Sequence, residues 1–153
     1  IDLEVTPKIM VSALSLSIAQ RLVRKLCTVC KTERAATPDE EAILRKILQG
    51  AAQNGKDLAA YKLTPDMPIK LYTAPGCSAC NNTGLRGRMG IFEAIKRDEA
   101  IEQIIPTNPS EREIKRVAAK QGIFNMQEDG VVKILAGITS LEEVQSVVDL
   151  TEE

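Results

Sequence analysis

Two C-x-x-C pairs are the feature that most constrains the fold of this chain. Cys27 and Cys30 form the first pair, Cys77 and Cys80 form the second, and 46 residues separate them. Two intervening residues let both sulfurs of a pair bind one ion from a tight turn, whose backbone amides can hydrogen-bond the thiolates. Two such turns complete a tetrahedral shell of four sulfurs, which suits Zn²⁺ and leaves no position open for catalysis. The pattern therefore predicts that these four cysteines hold a structural zinc ion.

The separation between the two pairs exceeds the spacing of an ordinary zinc ribbon. The residues between them are therefore expected to form an insertion whose two ends lie close together. Two alternatives stay open for the cysteines: disulfides in a secreted protein, or a thioredoxin-like redox pair. Redox chemistry needs only one pair, placed where a strand enters a helix, whereas both pairs here precede turns.

The composition narrows the chemistry further. The 153 residues include no histidine, which excludes His-based acid–base catalysis, Ser-His or Cys-His nucleophile pairs and mixed Cys/His metal sites. Apolar residues make up 44% of the chain but aromatic residues only 3%, so we expect a core of aliphatic side chains. The formal charge of −1 is unevenly distributed, because residues 20–34 are basic and the chain is acidic from residue 123 onward.

Capping residues mark the starts of four helices. Thr37, Pro38 and Glu40 form a capping box with proline at the first helical position, ahead of an apolar stripe that ends at Gly50. The same kind of start predicts three further helices. One begins after Ser110, which can form a capping box with Glu113, and the others begin after Asn125 and after Thr139 or Ser140. Their apolar stripes are typical of a shared core.

Strand signals are fewer and lie near the cysteines. Residues 20–26, 69–73 and 89–95 are short and rich in branched or aromatic side chains. The sequence therefore predicts an α+β fold that is mostly helical. It consists of a small antiparallel β zinc-binding module with a helical insertion, followed by a compact bundle of short α-helices.

One segment imitates a phosphate-binding loop. Residues 50–57 have the spacing G-x-x-x-x-G-K, but Asp57 stands where Ser or Thr would hold Mg²⁺, and the segment follows a helix instead of a strand. We therefore interpret Gly50 as a helix C-cap and the residues after it as a loop.

Arg86 and Arg88 lie among glycines and allow two interpretations. They could form an anion site with exposed backbone amides, or they could face solvent or pair with Glu93. A nucleic-acid surface would need aromatic side chains interleaved with basic ones, and the aromatic residues are scattered along the sequence at Tyr61, Tyr72, Phe92 and Phe124. We expect no nucleic-acid partner.

The longest uncharged stretch covers residues 9–20. It is too short to span a bilayer, and the acidic Asp2 and Glu4 that precede it do not fit a signal peptide. We therefore expect a core segment, no membrane span, no targeting signal and a cytoplasmic location.

Longer stretches of the chain resemble a known family. The segment from Ile18 to Cys27, with Cys30 and Lys31 after it, is similar to the entry into the tetracysteine module of the type II secretion and type IV pilus-assembly ATPases. The resemblance continues through Gly76-Cys77, Cys80, Thr83-Gly84, Gly87-Arg88 and Gly90 to Glu93. The family's closing helices are similar to Met126, Glu128-Asp129-Gly130, Lys133, Gly137-Ile138-Thr139 and Leu141 to Val144.

The resemblance implies a division of the chain into three parts. Residues 1–26 correspond to the end of a RecA-like ATPase core, residues 27–97 to the zinc module with a helical insertion at about 38–50, and residues 98–153 to a C-terminal helical subdomain. The family's Walker A loop, Walker B segment, acidic box and histidine box lie upstream, and none occurs here. This region is therefore not itself catalytic, although the parent protein is expected to hydrolyse ATP with Mg²⁺. Without the rest of its sheet, the first part should have its apolar side chains either exposed or repacked.

The resemblance also implies a role and partners. The family members are cytoplasmic motors, commonly hexameric, that drive pilin or pseudopilin assembly through an inner-membrane platform protein. The expected role of this region is force transmission or partner docking, with the neighbouring subunits of a homo-hexamer and the platform protein as partners, at the periphery of the inner membrane. Arg21, Arg24, Arg86 and Arg88 are the candidate interface residues. The alternative is a freestanding zinc-knuckle adaptor or chaperone-like module, because C-x-x-C-x-x-T-G also resembles zinc domains of co-chaperones.

Overall fold

The secondary structure follows the predicted class. The structure is a computed structural model that describes Ile9, residues 13–107 and residues 109–151. Its strands are β1 (Leu16–Leu26), β2 (Thr32–Ala35), β3 (Lys70–Thr73) and β4 (Leu85–Lys96). Five helices lie wholly within the described residues: α1 (Pro38–Gln53), α2 (Glu99–Ile104), α3 (Glu111–Ala118), α4 (Met126–Leu135) and α5 (Leu141–Gln145). The α+β class with small antiparallel sheets is thus confirmed.

The strands form two antiparallel ribbons. The long ribbon pairs β1 with β4, from Leu16 opposite Lys96 to Leu26 opposite Leu85. The short ribbon pairs β2 with β3 and joins the two ends of the segment that contains α1. This confirms that the insertion between the cysteine pairs has its ends held together. Strand β2 was not predicted, because four residues without apolar alternation give no strand signal.

Helix α1 begins where the capping box predicts. The side chain of Thr37 accepts the backbone N–H of Glu40, and the Glu40 carboxylate accepts the N–H of Thr37. The predicted end at Gly50 is wrong, since α1 continues to Gln53 and is capped at Asn54. Gly50 has a low helix propensity, but the helix continues past it because the next residue, Ala51, is buried in the core.

The C-terminal helices also begin at predicted residues. Capping boxes join Ser110 to Glu113 and Asn125 to Glu128. Of the two candidates for the last helix, Ser140 is the cap, and the hydroxyl of the fully buried Thr139 instead donates to the carbonyl of Arg24 over 2.8 Å. Helix α2 was not predicted.

One hydrophobic cluster holds these elements together. It combines Val23 of β1, Leu44 and Leu48 of α1, Leu71 of β3 and Val131 of α4. The insertion and the C-terminal helices therefore share a core. The division of the chain at residues 26 and 97 stays a prediction.

Several apolar side chains of β1 are exposed, contrary to the expectation that residues 9–20 belong to the core. Leu16, Ile18 and Leu22 are 48%, 60% and 52% exposed, and Ile9 is 59% exposed. The core prediction is wrong for these residues because, within the described part of the chain, this face of the β1–β4 ribbon has no layer packed on it; residues 10–12 lie outside that part. The exposure agrees with the expectation from the family resemblance. None of the described helices has the length and apolar character needed to cross a bilayer.

Candidate metal centre

The four cysteines meet at one point between the ends of the long ribbon and the short ribbon. Their sulfurs all lie within 4.8 Å of one another. The Sγ atoms of Cys27 and Cys77 are 3.9 Å apart, those of Cys30 and Cys80 are 3.9 Å apart, and those of Cys77 and Cys80 are 3.8 Å apart. Zinc–sulfur bonds of about 2.3 Å in a tetrahedron place the sulfurs about 3.8 Å apart, so these distances fit a four-sulfur zinc shell.

The turn that carries Cys27 and Cys30, called the first knuckle below, follows directly from β1. Leu26 ends the strand, and the backbone N–H of Cys27 donates to the carbonyl of Gly84 over 2.8 Å. The N–H of Lys31 donates back to the carbonyl of Cys27 over 2.9 Å and closes the turn. The turn therefore brings Cys27 and Cys30 to the same side of the chain.

The second knuckle is a 3-10 turn from Ser78 to Cys80. The sulfur of Cys80 accepts the backbone N–H groups of Cys77 over 3.2 Å and of Gly84 over 3.3 Å. Gly84 has a φ of +73°, and a Cβ atom there would lie 2.2 Å from the carbonyl oxygen of Ala74. Only glycine therefore lets the backbone approach the sulfur in this way.

The electrostatics of the cluster are those of a site for a cation. Burial opposes ionisation of Cys80, but the N–H groups of Cys77 and Gly84 lower its pKa to about 6. Burial raises the pKa of Cys30 to about 12, and the neighbouring thiols add to the rise. Once one thiolate has formed, its negative charge opposes the ionisation of the neighbouring thiols. A divalent cation removes this conflict, since all four sulfurs then ligate as thiolates.

All four cysteines are free, so the disulfide alternative does not describe this structure. The donor set of four thiolates suits Zn²⁺ and leaves no open position on it. The residues present therefore fit a closed, structural zinc site.

The segment that imitates a phosphate-binding loop has a different role. Lys56 is buried, and its Nζ donates to the carboxylate of Glu128 over 2.8 Å and to the carbonyl of Ile123. The same carboxylate accepts the backbone N–H of Asn125 over 2.7 Å. Lys56 thus joins the end of α1 to the start of α4, and its charge is not available to a nucleotide.

The four candidate interface arginines lie on the long ribbon and fall into two groups. Arg21, Arg86 and Arg88 are exposed, and within the described residues none of them forms an ion pair, including the pairing with Glu93 considered above. Arg24 is engaged instead, because its Nε and Nη2 atoms donate to the carboxylate of Glu143.

Several contacts at the knuckle were not predicted. The Nζ of Lys31 donates to the carbonyl of Gly137 over 2.8 Å, and the N–H of Leu26 donates to the carbonyl of Ile138 over 2.9 Å. Together with the Arg24–Glu143 pair, they attach the first knuckle to the α4–α5 turn. The partners are more than 100 residues apart in sequence, and no local pattern identifies them.

Comparison with known proteins identifies the family. The model of the family described as type II/IV secretion system protein matches residues 1–146 of the chain. The chain belongs to this family. The resemblance found in the sequence is thereby confirmed.

Curated relatives agree with the family assignment. The chain is 38% identical over 127 residues to the type IV pilus assembly ATPase PilB of Thermus thermophilus, covering 83% of this chain and 13% of the relative. It is 37% identical over 150 residues to the type IV pilus assembly ATPase TfpB of Acinetobacter baylyi, covering 98% of this chain and 23% of the relative. It is 36% identical over 146 residues to type II secretion system protein E of Aeromonas hydrophila, covering 95% of this chain and 26% of the relative. The chain thus spans about a quarter or less of these relatives.

Proposed function

We propose that this chain is the zinc-braced C-terminal part of a hexameric secretion or pilus-assembly ATPase. In this proposal it transmits force or docks a partner and carries no ATP site of its own. The observation that carries the proposal is the convergence of Cys27, Cys30, Cys77 and Cys80 within 4.8 Å in a chain of the secretion family. ATP and Mg²⁺ bind elsewhere in the parent protein.

A bound zinc ion supplies four metal–sulfur bonds that cross-link two segments 46 residues apart in sequence. The protein's own contacts extend this cross-link. Lys31, beside the first knuckle, donates to the carbonyl of Gly137 in the α4–α5 turn, and Arg24 of β1 donates to Glu143 of α5. A displacement of β1 would then move the zinc module and the α4–α5 turn together.

The exposed face of β1 is where we place the connection to the motor. Leu16, Ile18 and Leu22 are each about half or more exposed in this chain. We propose that they pack against the RecA-like core formed by the rest of the parent protein, of which residues 1–26 are the end. Burial of such a face is favourable because it removes apolar surface from water.

The exposed arginines are the proposed contacts to partners. Arg21, Arg86 and Arg88 make no ion pair within the described residues, so their charges are available to a carboxylate on another protein. The partners in this proposal are neighbouring subunits of a homo-hexamer and an inner-membrane platform protein, and the location is cytoplasmic, peripheral at the inner membrane. Arg24 is removed from this set because its guanidinium is bound to Glu143.

Metal analysis tests the zinc proposal. We expect the purified 153-residue chain to contain one zinc ion per chain. Its four cysteines should react with a thiol reagent only after the ion is removed. Cys80→Ser should lose the ion, whereas Ser78→Ala, a change in the same turn, should retain it. Four freely reactive thiols without zinc, or a reversible dithiol couple, would contradict the proposal.

Charge reversal tests the docking role in the full-length parent. Arg86→Glu combined with Arg88→Glu should leave ATP turnover unchanged and reduce pilus or pseudopilus assembly. Arg112→Glu, an exposed arginine on α3, is the matched control and should affect neither. Unchanged assembly in the double variant would show that these arginines do not dock the partner.

A further inference from the structure

Three of the four aromatic residues line a single cleft, although they are scattered along the sequence. Tyr61, Phe92 and Phe124 surround a volume of about 390 Å³ between the 3-10 turn after α1, the edge of β4 and the residues before α4. The ring centroids of Tyr61 and Phe124 are 5.4 Å apart, and the rings are inclined at 58°. Tyr61 is 54% exposed and Phe92 is 44% exposed, so neither ring is buried in the core of this chain.

The charged residues that line the cleft are all acidic. Its lining includes Asp57, Glu93 and Asp129 and contains no lysine or arginine. Asp129 is already engaged, because it accepts the N–H of Phe92 over 2.7 Å and pairs with Lys133. Asp57 uses one carboxylate oxygen to accept the N–H of Ala60 over 3.1 Å. An excess of negative charge therefore remains beside the aromatic rings.

Glu93 is the carboxylate with no partner within the described residues. It is half-buried on β4, between Phe92 and Ala94, and its carboxylate forms no hydrogen bond or ion pair with another described group. A carboxylate without a counter-ion leaves its charge available to a cation on a binding partner. The free charge therefore favours a positively charged occupant of the cleft.

A lysine outside the lining of the cleft already places its charge beside one of the aromatic rings. The Nζ of Lys133 lies 5.3 Å from the centroid of the Phe92 ring and pairs with Asp129. Within the described residues, the Tyr61–Phe124 pair and Glu93 have no corresponding cation. Tyr61, Phe124 and Glu93 thus offer rings and a carboxylate without a cation, whereas Phe92 and Asp129 already have Lys133 beside them.

We propose that this cleft binds an arginine side chain presented by an extended segment of a partner protein. Arginine fits better than lysine because its planar guanidinium can stack on Tyr61 or Phe124 while it donates two hydrogen bonds to Glu93. Aromatic side chains around a buried arginine are typical of the strongest contacts in protein interfaces. None of the four cysteines and none of the arginines of the docking proposal lines this cleft.

A peptide titration of the folded, zinc-loaded chain tests this proposal. The probe is a capped pentapeptide with a central arginine flanked by glycine and leucine, followed by backbone amide shifts in ¹⁵N-labelled protein. We expect shifts confined to residues around the cleft. The same peptide with citrulline, which has the shape of arginine but no charge, should bind about tenfold more weakly or not at all.

Matched variants locate the interaction. Glu93→Gln should weaken arginine-peptide binding by about tenfold, whereas Asp66→Asn, which removes the same charge from an exposed loop, should not change it. Tyr61→Leu should weaken binding, and Tyr61→Phe, which keeps the ring, should not. Equal binding of the arginine and citrulline peptides, or no effect of Glu93→Gln, would overturn the proposal. Concentration-dependent self-association of the chain that Glu93→Gln abolishes would also overturn it, because the occupant would then be a second copy.

Discussion

Arg24 and Glu143 are 119 residues apart in sequence and form an ion pair that joins β1 to α5. The Glu143 carboxylate accepts the Arg24 side chain at 2.5 Å and also its backbone N–H at 3.1 Å. We predict that Glu143→Gln loosens the attachment of the α4–α5 turn to the first knuckle. Because a neutral amide accepts weaker hydrogen bonds from a guanidinium, Tm should fall by about 3 °C.

Hydrogen exchange provides the more specific measurement for this link. The amide of Leu26 donates to Ile138 in the same turn, so its exchange should become faster in Glu143→Gln than in the unchanged chain. Glu142→Gln is the control, since in the described part of the chain the Glu142 carboxylate pairs with Arg34 alone, at 3.5 Å, and its side chain is 68% exposed. Equal exchange in both variants would show that the pair does not hold the turn.

Gly84→Ala should disrupt the second knuckle. A methyl group at this position meets the Ala74 carbonyl oxygen at 2.2 Å, and the φ of +73° is itself unfavourable for alanine. We expect zinc transfer to a competing chromophoric chelator to become at least about tenfold faster, because the Gly84 N–H no longer supports the Cys80 sulfur.

Gly122→Ala is a matched control for that substitution. Gly122 has the same φ of +73°, but a Cβ there would have no atom within 4 Å. This variant should therefore lose about 1 kcal/mol of stability from backbone strain alone and keep its zinc. If both variants retained zinc equally, the close approach at Gly84 would not be needed for the site.

The local features of the fold were predictable from sequence because their causes are local. Thr37, Ser110 and Asn125 each accept a hydrogen bond from the residue three positions later, as the capping patterns predict. The cysteine cluster was predictable for a similar reason, since each C-x-x-C pair contains the turn that places its two sulfurs.

The contacts between distant segments were not predictable in this way. Nothing in the sequence near Lys56 indicates that its partner is Glu128, or that Tyr61 and Phe124 share a cleft. The end of α1 was missed because Gly50 is a typical terminator, yet the burial of Ala51 carries the helix onward. Packing against distant residues decides such features, and only the fold reveals them.

Lys56 should be essential to the stability of the chain. Its side chain is 3% exposed and that of Glu128 is 7% exposed, so the ion pair lies in the interior. We predict that Lys56→Met lowers the free energy of unfolding by about 3 kcal/mol, because it leaves Glu128 buried without its cation. Denaturant unfolding measures this loss.

A surface ion pair provides the comparison for Lys56. Lys70 pairs with Glu33, and their side chains are 57% and 48% exposed. Lys70→Met should leave the denaturation midpoint unchanged within error, since exposed pairs contribute little. Similar losses in both variants would mean that burial does not distinguish the two lysines.

The ion pair between Arg34 and Glu40 should make stability depend on pH. The Glu40 carboxylate accepts two hydrogen bonds from Arg34, at 2.8 and 2.7 Å, and one from the N–H of Thr37 at 2.8 Å. The pKa of Glu40 falls from 4.5 to about 2, and the hydrogen bonds from the Arg34 guanidinium are the main cause. A carboxyl group whose pKa is lower in the folded than in the unfolded state stabilises the fold fully above the unfolded value. That contribution is lost as the pH falls through the folded value.

Glu40→Gln tests this dependence without interference from acid effects elsewhere in the chain. Any effect of acid on the cysteines acts on both proteins, so the difference between their urea midpoints isolates Glu40. That difference should be largest at neutral pH, begin to shrink near pH 4.5 and be nearly gone at about pH 2, the two pKa values of Glu40. Arg34→Gln should also reduce the pH dependence, because it removes the main cause of the lowered pKa. A difference that stays constant from neutral pH to about pH 2 would show that ionisation of Glu40 does not stabilise the start of α1.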